Sequence, residues 1–181
     1  ETSRKIKSSG FISVRHVAPN GEIFVNGLYN LIISNEFKGK TVYQIDDEPE
    51  QILSENSFLL REGNHTITYK LFDENGVLKD QKKEKVYLDL TAPDVIAQLE
   101  GIYFERNSFY YYKPGVKLFL QVKDKDSGVG EIFLSLNKKG YLPMAKMDKP
   151  VDSPGPKEIR ILATDKVSNL SQEVYLRYTV D

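Results

Sequence analysis

Apolar and polar positions alternate with a period of two over much of the chain, in short runs separated by Gly, Asn, Asp and Pro. That spacing is the signature of half-buried β-strands, because successive side chains on a strand point to opposite faces. In the first half it predicts strands over residues 11–17, 22–26, 28–34 (with Leu31 and Ile33 on one face) and 41–46. Asn20-Gly21 and Asn26-Gly27 read as turns, since both residue types tolerate positive φ, and Lys38-Gly39-Lys40 reads as another. The acidic segment 46–50, with Pro49, reads as a loop. The clearest hairpin follows. Residues 65–72 place Ile67, Tyr69 and Leu71 inward, Asp73-Glu74-Asn75-Gly76 turns the chain, and the return strand carries Val86 and Leu88 inward. Lys82-Lys83-Glu84-Lys85 within it is expected to be a solvated strand face.

After Asp89-Leu90-Thr91-Ala92-Pro93 the pattern restarts. Residues 95–99 form a strand candidate, 103–112 are rich in aromatics, and Lys113-Pro114-Gly115 turns. Residues 116–123 put Leu118, Leu120 and Val122 on one face, and residues 124–130 turn. Ile132, Leu134 and Leu136 alternate, Lys138-Lys139-Gly140 turns, and 142–156 is loop-rich. Ile159, Ile161 and Ala163 alternate, then residues 165–169 turn into a last strand with Val174, Leu176, Tyr178 and Val180 on one face. No window sustains a 3.6-residue period, so no long helix is expected. Many short strands with turn signals between them predict an all-β antiparallel sandwich or barrel.

The two halves resemble each other. An offset of 92 residues places Gly63 on Gly155, Ile67 on Ile159, Tyr69 on Ile161, Asp73 on Asp165 and Asp89 on Asp181. An offset of 91 places Tyr43 and Ile45 on Leu134 and Leu136. This predicts two modules of one kind, residues 10–90 and 91–181, with the stretch Asp89 to Pro93 as the seam of a repeat. Pro93 biases Ala92 towards extended geometry, which suits a short link feeding a strand.

Composition narrows the function classes. The net charge of −1 leaves no basic field for nucleic acid. No apolar run reaches the roughly 20 residues that span a bilayer. The absence of cysteine removes disulfides and thiolate metal sites. The chain begins at Glu1 and not at Met, so it is read as a processed or excised piece flanked by further domains.

Several turn motifs carry a family likeness. Thr91-Ala92-Pro93, Tyr112-Lys113-Pro114-Gly115, Asp124-Lys125-Asp126-Ser127-Gly128-Val129 and Ala163-Thr164-Asp165-Lys166-Val167-Ser168-Asn169 resemble those of bacterial immunoglobulin-like tandem repeats of exported surface proteins. Tyr43-Gln44-Ile45-Asp46, residues 61–67 and Tyr87-Leu88-Asp89 carry the likeness into the first half. Three departures stand out: Ser168 occupies the place of a Gly before Asn169, the first half lacks the Ser-Gly-Val turn, and it has Gly76-Val77 in the place of Gly-Asn. The resemblance implies two tandem immunoglobulin-like antiparallel β-sandwiches. It also implies a location that is extracellular, on the outer-membrane surface or periplasmic. Turn motifs specify a fold better than an activity.

Chemistry-bearing constellations are sparse. His16 and His65 are the only histidines, and each falls in or at the edge of a strand without a recognisable nucleophile partner. No pair of acids suggests glycoside hydrolysis, and no enzyme is expected. Asp124, Asp126 and Asp165 are candidate calcium ligands, the one cofactor considered. Calcium takes six to eight oxygens, whereas an Asp in a turn more often caps its own backbone. Tyr103, Phe104, Phe109, Tyr110, Tyr111 and Tyr112 are the best ligand candidates, as flat apolar rings with polar tips suited to a protein or a glycan partner. The competing expectation is that about half of them point into the core and the rest pack against the neighbouring unit. Three readings follow. The first is a non-catalytic cell-surface or envelope module for adhesion, spacing or protein contact. The second is a carbohydrate-binding or accessory module of a larger secreted enzyme. The third is a calcium-stiffened adhesin rod.

Overall fold

The computed structural model describes residues 15–26, 29–30, 39–54, 57–58, 60–146 and 151–181. The protein is all-β: among the described residues there are sixteen strands, one short 3-10 turn at Met144–Lys146 and no α-helix. Among the described residues no helix is long and apolar enough to cross a membrane. The chain divides into two compact units, Glu1–Leu90 and Thr91–Asp181.

The first unit contains β1 (Arg15–Val17), β2 (Ile23–Val25), β3 (Tyr29–Asn30), β4 (Gly39–Ile45), β5 (Gln51–Ile52), β6 (Ser57–Phe58), β7 (Gly63–Asp73) and β8 (Leu78–Leu88). Six of them form a sheet in the order β1-β2-β8-β7-β4-β5, and β3 pairs with β6. All neighbours run antiparallel except β2 and β8, which are parallel. Period-two alternation buries Ile67, Tyr69 and Leu71 of β7 and Val86 and Leu88 of β8, around which Val25 and Leu60 complete the core.

The second unit contains β9 (Asp94–Glu100), β10 (Tyr103–Arg106), β11 (Phe109–Tyr112), β12 (Lys117–Lys123), β13 (Val129–Leu136), β14 (Leu142–Pro143), β15 (Gly155–Asp165) and β16 (Val174–Val180). Its six-stranded sheet has the order β10-β11-β16-β15-β13-β14, again with a single parallel pair, β11 and β16. The antiparallel β9–β12 pair forms the second layer. Val95, Ala97 and Leu99 of β9 and Leu118 and Leu120 of β12 pack on a core of Tyr112, Val116, Leu134, Ile159, Ile161, Tyr178 and Val180.

The offset read from the sequence recurs in the register. Gly63 pairs with Leu88, and Gly155 with Val180. Tyr87 and Leu88 pair with Phe24 and Val25, as Thr179 and Val180 pair with Tyr111 and Tyr112. Tyr43 and Ile45 oppose Tyr69 and Ile67, as Leu134 and Leu136 oppose Ile161 and Ile159. The Asp89 N–H donates to Val25 and the Asp181 N–H to Tyr112, each at 2.9 Å.

Three local expectations are corrected. Gly39 and Lys40 open β4 opposite Asp73 and Phe72 and are not part of a turn, because the β7 strand is long enough to pair with them. Val129 and Gly130 likewise belong to β13 and not to the preceding turn. In the lysine-rich stretch Lys83 and Lys85 face solvent, but Glu84 shares the face of Val86 and is buried. Its carboxylate accepts from the Arg15 guanidinium at 3.2 Å, which offsets the cost of taking the charge out of water. The expected strand residues 11–14, 28 and 31–34, and the Gly27 and Lys38 turn positions, lie outside the described residues.

The β4–β7 end of the first unit is tied by one carboxylate. Asp46 accepts from the Thr66 N–H at 2.7 Å and faces His65 Nδ1 at 2.8 Å, while His65 Nε2 donates to the Arg61 carbonyl at 2.6 Å. Desolvation pulls the Asp46 carboxyl upward, but the Thr66 N–H and the His65 ring outweigh it, so its pKa is lowered. A depressed folded-state value gives stability that is present above the unfolded value and is lost as pH falls through the folded one. The first unit is therefore expected to lose stability below about pH 4, and Asp46→Asn to flatten that acid limb. Urea midpoints measured from pH 3 to pH 7 for both proteins check this; identical slopes would contradict it.

The candidate binding face of the second unit

Asn107 and Ser108, with φ of 52° and 62°, connect β10 to β11. Two successive left-handed residues form the tight turn whose twist matches that of the strands. The register sets Tyr103 opposite Tyr112, Phe104 opposite Tyr111, Glu105 opposite Tyr110 and Arg106 opposite Phe109. Alternation therefore sorts the aromatics onto two faces. Tyr103, Tyr110 and Tyr112 share the inner face, and Phe104, Phe109 and Tyr111 the outer one.

On the inner face Tyr112 is the anchor. It is buried edge-on against Tyr178, with ring centroids 5.7 Å apart, and Tyr103 lies 5.3 Å above it. Burial, with Tyr103 and Tyr110 nearby, raises the Tyr112 pKa. Burial also pushes Tyr178 up to about 12, helped by Asp152 and Tyr112, while its hydroxyl donates to the Val151 carbonyl at 2.7 Å. Tyr112 is thus a core residue.

Four of the remaining rings are exposed. Tyr103, Phe104, Phe109 and Tyr110 are 41–55% exposed, a contiguous aromatic hairpin at the sheet edge. Phe104 and Tyr111 stack at 4.9 Å with an interplanar angle of 8°. Exposed aromatic area of this kind marks binding surfaces more than it serves stability.

The outer face continues across β16 and β15. The antiparallel register places Glu158 opposite Arg177 and Arg160 opposite Tyr175. Arg177 lies over the Phe109 ring at 5.1 Å and Arg160 over the Tyr175 ring at 5.6 Å. Arg160 pairs with Glu158 at 3.0 Å and Glu173 at 3.8 Å, and Lys138 reaches Glu158 at 3.7 Å. Desolvation raises the Glu158 carboxyl, but Arg160 and Lys138 outweigh it and its pKa is lowered. Burial and a hydrogen bond to Glu173 raise that of Tyr141. A shallow depression of about 510 Å³ is framed by Asn137, Lys138, Glu158, Arg160, Tyr175 and Arg177. None of Arg160, Tyr175 and Arg177 is among the sequence-predicted site residues. Alternation with Ile159, Ile161 and Tyr178 does put them on the solvent face, but only the β15–β16 register brings them together.

The aspartates sit at another end of the unit. Asp124 Oδ1 accepts from Asp126 N at 3.1 Å and Gly128 N at 2.6 Å. Asp165 Oδ1 accepts from Val167 N at 2.9 Å and Asn169 N at 2.8 Å, and its Oδ2 accepts from Asn169 Nδ2 at 2.6 Å. The same device caps the β7–β8 turn, where Asp73 Oδ1 accepts from Asn75 N and Val77 N, each at 2.9 Å. The two turns of the second unit meet, with Lys166 N donating to the Gly128 carbonyl at 2.9 Å and one carboxylate oxygen each of Asp124 and Asp165 within 4.8 Å of one another. Asp126 does not join that pair. Turn capping engages Oδ1 of Asp124 and both carboxylate oxygens of Asp165.

Ser168, in the place where the resembled pattern has Gly, is held at φ 71°. A left-handed conformation costs an L-residue roughly 1 kcal/mol or more, part of which a glycine gives back through its greater freedom in the unfolded chain. Ser168→Gly is expected to stabilise the second unit by about 0.5–1 kcal/mol. Thermal denaturation checks this, and an unchanged or lower Tm would contradict it.

His65 has both ring nitrogens engaged as described above, and His16 lies on β1 beside the Phe24 ring at 6.3 Å. No protein-family model matches the chain, and no curated protein does. Among solved structures the chain is similar to the fibronectin(III)-like modules of Clostridium thermocellum CbhA, at 13% identity and a TM-score of 0.47, over 98% of this chain and 93% of that chain.

Proposed function

We propose that the chain is a non-catalytic binding segment of an exported bacterial surface protein, built from two tandem immunoglobulin-like domains, residues 10–90 and 91–181. Its contact surface is the outer face and aromatic edge of the second domain. The recurrence of one strand order and one register in both units supports tandem copies of a single module. The exposed aromatic hairpin carries the functional reading: four large rings stand in solvent where a purely structural spacer would bury or omit them. The location that follows is extracellular, on the outer-membrane surface or periplasmic, and the partner is a protein or a glycan there.

A second reading, a carbohydrate-binding accessory module, is favoured by the rings of Phe104, Phe109 and Tyr175, which remain about half exposed beside the neighbours they stack with, since sugar rings offer an apolar C–H face that stacks on aromatics. Binding of the fluorescently labelled chain to cell-envelope preparations and to a glycan array tests both. Phe104→Ala combined with Tyr110→Ala removes exposed rings and spares the core. Loss of binding with an unchanged Tm is the expected result; retention of full binding would overturn the assignment of this face.

A further inference from the structure

We infer that the depression on the outer face of the second unit's sheet is a receptor for a sugar-borne carboxylate, with Arg177 as the residue that holds the anion. The inference rests on the glycan reading above. The charges around the depression are unevenly matched. Lys138 and Arg160 share Glu158, and Arg160 also reaches Glu173. Arg177 makes no ion pair among the described residues and is placed over the Phe109 ring, 5.1 Å from its centroid. Stacking on a ring restrains a guanidinium while leaving its N–H groups free to reach a carboxylate as a fork. One unneutralised arginine on a chain of net charge −1 is a local site for one anionic group.

The surroundings select the carrier of that group. The depression is lined by Tyr175, 47% exposed, and by Arg177, which rests on the Phe109 ring beside it. It lies on β15 and β16, which are interior strands of the sheet with their backbone groups already engaged in ladders. An extended acidic peptide therefore finds no free strand edge here to pair with. A uronate-containing glycan needs no such edge. Its ring face meets the exposed part of the Tyr175 ring, its hydroxyls meet the polar rim at Asn137 and Lys138, and its carboxylate meets Arg177.

Isothermal titration of the full chain with an oligogalacturonate, a neutral oligosaccharide of equal length and a poly-glutamate peptide tests this. The expected result is that the uronate binds at least about tenfold more tightly than either competitor, and less tightly as salt rises. Arg177→Gln should weaken the uronate about tenfold or more with an unchanged Tm. Arg177→Lys, which keeps the charge but not the fork, should fall between. Lys83→Gln, on an exposed position of the first unit, should change nothing. Equal affinity for the uronate and the neutral sugar, no uronate binding, or an unchanged Kd for Arg177→Gln would each overturn the anion site. Poly-glutamate bound as tightly through Arg177 would overturn the sugar assignment. Should the site fail while envelope binding still depends on Phe104 and Tyr110, the proposed function stands and only the uronate specificity falls. Should both fail, the face itself is misassigned.

Discussion

Gly130→Ala is expected to destabilise the second unit by about 3 kcal/mol, the larger end of what overpacking costs. The reason is close approach. Between Val129 opposite Asp165 and Ile132 opposite Ala163 the register slips, so Gly130 and Glu131 share one partner position at Thr164. This bulge presses the Gly130 backbone onto the next strand. A Cβ there would collide with the Asp165 carbonyl oxygen, and would stand 2.7 Å from its carbon and 3.0 Å from the Thr164 oxygen. Backbone atoms held in a ladder and a capped turn cannot rotate away. For a unit of this size the loss corresponds to a Tm lower by roughly 12–24 °C. Gly140→Ala serves as the comparison: its φ is 86° but nothing lies within 4 Å of the added carbon, so it meets conformational strain alone and is expected to cost about 1 kcal/mol. Equal effects of the two substitutions would contradict the close-approach account.

Asp165→Ala is expected to cost about 2–4 kcal/mol. It removes the acceptor of three hydrogen bonds, and Val167, whose N–H is one of the donors, is fully buried. A buried donor stripped of its partner bears the full cost of desolvation, about 1–3 kcal/mol. Asp165→Asn retains an acceptor for the backbone N–H groups but sets an amide against Asn169 Nδ2, so it should lie between. Asp73 holds the equivalent place in the first unit and accepts the same pair of backbone bonds, yet its turn is exposed and water can replace it. Asp73→Ala should therefore cost clearly less than Asp165→Ala. Guanidinium midpoints of the three variants measure the order; a larger effect at Asp73 would contradict it.

These two positions show what was legible in the sequence. The Asp-led turns were readable because the side chain makes its bonds within four residues, so the signal is local. The inward faces of β7, β8, β15 and β16 were readable because alternation fixes the face of each residue once one is placed. The recurring offset was readable from a handful of positions, and the register repeats it. Gly130 was not readable. It sits beside Gly128, and nothing in the motif says that Gly128 answers a positive φ of 89° while Gly130 answers a strand passing over it. Glu84 was misread for a related reason: a run of charges suggests solvent, but strand alternation outranks composition, and Arg15, some seventy residues away in sequence, supplies the partner.

The aromatic cluster was half legible. Its concentration of rings drew notice, but only the Asn107–Ser108 turn and the pairing with β16 separate Tyr112, a core anchor, from the four exposed rings. The arginine side of the face was not legible. Arg160 and Arg177 stand seventeen residues apart among ordinary strand residues, and their aromatic partners come from other strands. A non-local surface of this kind leaves no motif.

Hydrogen exchange of the full chain, alone and bound to an envelope polysaccharide, tests the central claim most directly. Protection gained over Phe109–Tyr112 and Val174–Val180, with β7 and β8 of the first unit unchanged, is the predicted result. Protection confined to the first unit, or none in β11 and β16 under saturating polysaccharide, would contradict the assignment of the second unit's outer face as the binding surface.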